Sequence, residues 1–160
     1  MTLASKTRNS NRNLHLGNVE HWEKTDFGIS GKTTNGFFTI TVFEHDTIRI
    51  QASQEEGYFS NPYSVVTQPK HVGFSIEEFE ETLVIQTKTI EVSINLNPFH
   101  LKFYDKSGKL LNEDDTSFSI SWLGTEVTNY KKLQPNEKFI GLGEKTGNLN
   151  RAGSAYTNWR

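Results

Sequence analysis

An antiparallel all-β sandwich is the fold class this sequence predicts, on three observations. Apolar residues alternate with polar ones in short runs, and turn residues interrupt those runs every few positions. No window sustains the 3.6-residue period of a helix. Residues 1–25, with Lys6, Arg8 and Arg12 among Ser, Thr and Asn, predict an extended or poorly ordered arm. The sandwich domain is expected over 26–138 and a distinct glycine-rich segment over 139–160.

Within the sandwich, Phe38, Ile40 and Val42 alternate with Phe37, Thr39, Thr41 and Phe43, the mark of a strand partly covered on both faces. Glu44-His45-Asp46 turns that strand into Ile48, Ile50 and Ala52, so the two form a hairpin. Residues 54–62 read as loop, and Val65-Val66 as the start of a short strand. Phe74 and Ile76 lead through Glu77-Glu78-Phe79-Glu80-Glu81 to Leu83-Val84-Ile85. Ile90, Val92, Ile94 and Leu96 alternate with Glu91, Ser93 and Asn95 until Asn97-Pro98 breaks the run. Phe99, Leu101 and Phe103 begin the next strand, and Asp105-Lys106-Ser107-Gly108 returns the chain through Leu110-Leu111. Phe118, Ile120 and Trp122 face one way, Gly124 permits a turn, and Val127 to Tyr130 follows. Roughly nine or ten strands result, with no fixed-period repeat that would suggest a propeller or solenoid.

Composition narrows the function. A single domain is the expectation for 160 residues. A net charge of −2 and a pI near 6.2 argue against nucleic acid and against an anionic membrane surface. Without cysteine there are neither disulfides nor thiolate metal sites. No apolar run approaches the roughly 20 residues of a membrane span. The polar, basic N-terminus lacks the apolar core of a signal peptide, which tilts the expected location to the cytoplasm; a trimmed leader leaves the periplasm or secretion open.

Candidate chemistry meets plain alternatives. Gly28 to Thr34 suggests a phosphate loop, but Asp26 stands where the first glycine belongs and a strand follows, so a hairpin turn is the better reading. The spacing of Gly141, Gly143 and Gly147 also misses the dinucleotide fingerprint. His15, His21, His45, His71 and His100 are scattered without metal-ligand spacing; His100 reads as a partly buried strand residue. The acidic runs at Glu77 to Glu81 and Glu113-Asp114-Asp115 read as solvated turns rather than a hydrolytic pair. Core packing is expected of Trp122, whereas for Trp159 sugar stacking and packing stand as nearly even alternatives.

The least ordinary stretch is FIGLGEKTGNLNRAGSAYTNWR, residues 139–160. Glycines at this density, next to Tyr156 and Trp159, point to a bent backbone that presents aromatic surface to a partner. Its abrupt close after Trp159 reads as the front piece of a larger protein. Residues 139–147 followed by Leu149, Arg151, Gly153, Tyr156 and Trp159 resemble the segment that precedes the barrel in glycoside hydrolase family 31, the family of α-glucosidases and α-xylosidases. The likeness extends upstream over residues 83–94 and 101–111 and fades before Asp26.

That resemblance implies a galactose-mutarotase-like sandwich, packed in the whole enzyme on a (β/α)8 barrel. It implies that Tyr156, Asn158, Trp159 and Arg160 approach an α-glucoside oligosaccharide, while Gly141, Gly143, Glu144, Gly147, Arg151 and Gly153 shape the loop. The implied reaction is retaining hydrolysis by two barrel aspartates absent from these residues, with no metal or organic cofactor. The 160 residues alone are therefore expected to be inactive, and an apolar face left without its barrel is expected to favour self-association. Two rivals stand beside this reading. One is a free-standing mutarotase, which needs a histidine and a glutamate converging on an open sandwich face. The other is a non-catalytic carbohydrate-binding or subunit-docking module.

Overall fold

The computed structural model describes residues 13–59 and 62–157. Among them are twelve strands and no helix. In chain order these are β1 (Leu14–His15), β2 (Val19–Thr25), β3 (Gly28–Thr33), β4 (Gly36–Glu44), β5 (Thr47–Ser53) and β6 (Ser75–Phe79). There follow β7 (Thr82–Gln86), β8 (Ile90–Leu96), β9 (Phe99–Asp105), β10 (Leu110–Glu113), β11 (Ile120–Leu123) and β12 (Glu126–Asn129). They form a four-stranded sheet ordered β2-β3-β4-β5, a five-stranded sheet ordered β10-β9-β8-β7-β6 and a three-stranded sheet ordered β1-β11-β12. Every strand pair is antiparallel.

The period-2 pattern decides which side of each strand is buried. Phe38, Ile40 and Val42 of β4 lie in one core with Leu83 and Ile85 of β7, Val92 and Ile94 of β8, and Phe99 and Leu101 of β9. The Phe38 and Phe99 rings meet across the sandwich with centroids 4.8 Å apart. Trp122 joins the same core, as its alternating strand predicts. His100 is half-buried on β9, its Nδ1 3.1 Å from the Pro98 carbonyl oxygen.

Four expectations need correction. The arm predicted over 1–25 gives way from Leu14 onward to strands β1 and β2. Leu16 is buried in the core, its amide donating to the Ile120 carbonyl, while the Gly17 carbonyl accepts from the Phe99 amide. Polar flanks hid this, because only Leu14, Leu16, Val19 and Trp22 carry the apolar signal. Nor is Gly28–Thr33 a hairpin turn: it is β3, paired along its length with both β2 and β4. Its glycines serve close packing, since a Cβ on Gly31 would lie 2.5 Å from the Phe38 ring and 2.6 Å from the His21 carbonyl oxygen. Val65 and Val66 form no strand; they sit exposed in the long connection between β5 and β6.

The fourth correction concerns the acidic runs. Glu77, Glu78, Glu80 and Glu81 are exposed around the β6–β7 hairpin, as expected. Glu113 and Asp114 are instead buried. One Asp114 carboxylate oxygen accepts from the Leu101 amide at 2.9 Å and from the Ser119 hydroxyl at 3.4 Å; the other accepts from Lys131 Nζ at 2.5 Å. Glu113 accepts from Lys132 Nζ at 3.1 Å and from Gln134 Nε2 at 3.4 Å. The Lys132 hydrogen bond holds the Glu113 carboxyl below the usual carboxylate range. Its stabilising contribution is therefore complete above the ordinary glutamate titration and is lost as pH falls through the lowered one.

The Asp114 side chain is 0% exposed, whereas that of Lys131 is 34% exposed. Removing the lysine strands a carboxylate out of reach of water; neutralising the carboxylate only returns an ammonium to solvent. Urea unfolding at neutral pH is expected to show Lys131→Met losing about 3 kcal/mol and Asp114→Asn about 1 kcal/mol. Equal losses would mean that the backbone amide and Ser119 satisfy the carboxylate unaided.

Candidate functional site

The chain leaves the sandwich through a short anchored passage. The Lys132 amide donates to the Glu113 carbonyl at 3.0 Å. A turn then closes between Gln134 and Glu137, the Glu137 carboxylate accepting from the Gln134 amide at 2.9 Å. Residues 139–157 contain no strand. The backbone instead takes left-handed φ at Leu142 and Gly143, 66° and 68°, a conformation that costs a side-chain-bearing residue about 1–2 kcal/mol and glycine little. Gly141, Gly147 and Gly153 also have positive φ.

This segment closes on itself around Arg151. The Arg151 amide donates to the Phe139 carbonyl at 2.7 Å, and the Asn150 side-chain oxygen accepts from the amides of Phe139 and Ala152 at 3.0 and 3.2 Å. The Arg151 guanidinium then grips the opposite limb. Nη2 donates to the Lys145 carbonyl at 3.1 Å, and Nη1 donates to the Thr146 carbonyl at 3.1 Å and to the Tyr156 hydroxyl at 3.3 Å. The guanidinium carbon also lies 5.3 Å from the centroid of the Tyr156 ring. Hydrogen bonding from Arg151, and secondarily from Ser154, holds the Tyr156 hydroxyl below the usual phenol range.

Of the residues expected to shape the loop, Arg151 makes the bonds that close it. Gly141, Gly143, Gly147 and Gly153 sit at its bends. Glu144 is exposed and has no hydrogen-bond partner among the described residues. Sequence reasoning passed over Asn150, whose side chain ties residues 139 and 152 together; an asparagine beside an arginine in a glycine-rich run is the signal for such a cap. Tyr156 is half-buried against a cleft of about 340 Å³, walled also by Leu133, Phe139, Leu142, Ala152 and Ser154. Asn158, Trp159 and Arg160 lie outside the described residues.

A second cleft opens on the outer face of the four-stranded sheet. His21 and Glu23 of β2 stand two residues apart on that face, with Ser30 and Lys32 of β3 opposite them and Phe37 and Phe59 at the sides of a hollow of about 380 Å³. The Ser30 hydroxyl donates to Glu23 at 3.2 Å, and Lys32 pairs with Glu20 at 2.6 Å. Among the described residues no group of three His, Asp or Glu side chains could hold a metal ion. Among the described residues no helix is long and apolar enough to cross a membrane.

An antiparallel sandwich of three sheets that hands its chain to an arginine-locked, glycine-rich loop has the form of a galactose-mutarotase-like domain. Residues 37–160 match the model of the glycosyl hydrolase 31 N-terminal galactose mutarotase-like domain. The chain belongs to that family. It is 30% identical over 156 residues to Alpha-glucosidase 2 of Bacillus thermoamyloliquefaciens, covering 96% of this chain and 20% of the relative. In three dimensions it superposes with a TM-score of 0.82 on a family 31 dextranase of Flavobacterium johnsoniae solved with glucose, at 27% identity over 89% of this chain and 18% of that one. An α-xylosidase from a soil metagenome, at 19% identity and a TM-score of 0.64 over 84% of this chain and 24% of its own, shares the fold. The chain thus spans about a fifth of the length of these relatives.

Proposed function

We propose that the chain is the amino-terminal domain of a retaining α-glycosidase acting on α-glucosides, and that residues 139–160 supply a loop to its sugar pocket. The observation that carries this reading is the Arg151-centred loop, which holds Tyr156 by hydrogen bonding just ahead of Asn158, Trp159 and Arg160 in the sequence. The α-glucoside preference is supported by the α-glucosidase at 30% identity. Hydrolysis falls to two aspartates on a (β/α)8 barrel. One attacks the anomeric carbon, the other protonates the leaving oxygen, and water then releases the sugar.

In this scheme the sandwich contributes position and binding. In the full-length protein, Tyr156→Phe and Trp159→Ala are expected to lower kcat/KM for an aryl α-glucoside, the tryptophan variant by about thirty-fold, as for the loss of an aromatic anchor worth about 2 kcal/mol. Purified alone, the 160 residues should neither turn over that substrate nor bind maltose. Unchanged kcat/KM in both variants, or turnover by the isolated chain, would sink the proposal.

The same reading assigns a partner to the exposed apolar side chains of this region. Val127, Leu133, Phe139, Ile140, Leu142 and Leu149 are each at least 47% exposed. We propose that they face the catalytic barrel and that without it two copies of the chain cover them. Sedimentation velocity should then show concentration-dependent association that Ile140→Lys abolishes. A monomer at all concentrations would refute this partner assignment.

One observation favours a second reading. A free-standing mutarotase needs a histidine and a glutamate on one open face, and His21 and Glu23 share one. Polarimetry with freshly dissolved α-glucose decides the matter: acceleration by the chain that His21→Ala removes supports the mutarotase, and a spontaneous rate excludes it.

A further inference from the structure

Arg151 does more than close the loop. Its guanidinium is fixed on one side by the carbonyls of Lys145 and Thr146 and on the other by the Tyr156 hydroxyl, while its own amide is held by Phe139. Nη1 carries two N–H groups. One is directed to the Thr146 carbonyl and the other to the phenol oxygen. A phenol oxygen that already accepts from a cation is a poor acceptor for anything else, and the same bond polarises its remaining O–H outward.

We infer that Arg151 is a positioning residue that commits the Tyr156 hydroxyl to donating, so that this point of the loop recognises an acceptor oxygen on the ligand. This rests on the proposed function for the identity of the ligand, where the acceptor is a sugar hydroxyl or ring oxygen, but the pairing itself does not. Lysine cannot substitute for arginine here. An ammonium is a point charge without the guanidinium fork that reaches two carbonyls and a phenol from two nitrogens here. Gly147 borders the pair: a Cβ added there would lie 3.7 Å from Nη1 and 3.9 Å from the Tyr156 hydroxyl, in van der Waals contact with both.

The lowered Tyr156 titration gives a readout that needs no sugar. The chain is labelled with [13Cζ]tyrosine, and the Tyr156 signal is assigned by its loss in Tyr156→Phe. Alkaline titration is then followed by NMR in the unsubstituted chain, Arg151→Lys and Arg151→Met. Tyr156 should titrate at the lowest pH in the unsubstituted chain, higher in Arg151→Lys, which keeps the charge without the fork, and highest in Arg151→Met. A titration indifferent to either substitution overturns the inference. Equal shifts in the two variants also overturn it, because they would report general loosening of the loop.

The ligand side is tested in the full-length protein with fluoro and deoxy analogues of the α-glucoside. A donating tyrosine tolerates fluorine, an acceptor, better than hydrogen at the position it contacts. That preference should vanish in Tyr156→Phe. Its persistence there, or its absence from the unsubstituted enzyme, overturns the donor assignment, while loss of activity with every analogue alike in Tyr156→Phe overturns it too. Failure of the proposed function leaves the NMR titrations unaffected.

Discussion

Asp114 stands where two of the three sheets meet, and its carboxylate fixes how they meet. Through the Leu101 amide it holds β9 of the five-stranded sheet, through Ser119 the entry to β11, and through Lys131 the exit from β12. The backbone follows the same course. The Asp114 amide donates to the Leu101 carbonyl, the Asp115 amide to that of Tyr130, and the Tyr130 amide to that of Ser119. A carboxylate with no contact with water is costly unless every lone pair finds a donor, so this corner admits few alternative arrangements. The route by which the chain leaves the sandwich toward residues 139–157 is set there.

The same end of the three-stranded sheet also depends on the segment read as an arm. Residues 14–18 hydrogen-bond to the connection before β4, to the residue that opens β9 and to the one that opens β11, and so touch all three sheets. With Leu16 in the core at Ile120 and Asp114 bonded to the neighbouring Ser119, the small sheet becomes a clasp across the sandwich edge. Neither side works alone: Leu16 supplies apolar burial without direction, and Asp114 supplies direction at an electrostatic cost.

The strands most legible in the sequence are those whose two faces differ. Residues 37–53 and 83–105 alternate because one side meets the core and the other meets water, and their registers follow the pattern. Two kinds of strand escaped. β2 has charged residues on its open face and one half-buried tryptophan as its main apolar signal. β3 contains glycines at positions where only the absence of a side chain lets Phe38 pack. Buried acids are harder still to foresee, because Glu113-Asp114-Asp115 has the composition of a turn, and only tertiary partners from residues 101, 119, 131 and 132 distinguish it from one. At the candidate site the motif marked out the glycines and Arg151, while the roles of Asn150 and of the Lys145 carbonyl depend on how the loop folds back.

Loop and sandwich are held by separate sets of bonds. Among the described residues, the hydrogen bonds of 139–157 join loop atoms to loop atoms, with Arg151 as the hub, whereas the passage at 131–137 belongs to the Asp114 and Glu113 corner. This division lets the loop keep its internal shape while its placement is governed by the corner. A loop closed by its own hydrogen bonds has its ordering entropy discharged within the chain itself. It also explains why apolar side chains such as Ile140 and Leu149 remain in solvent: the loop needs no core of its own, because an arginine and three carbonyl or phenol oxygens do the work that burial does elsewhere. What those side chains cover is then free to be a partner surface rather than the loop's own interior.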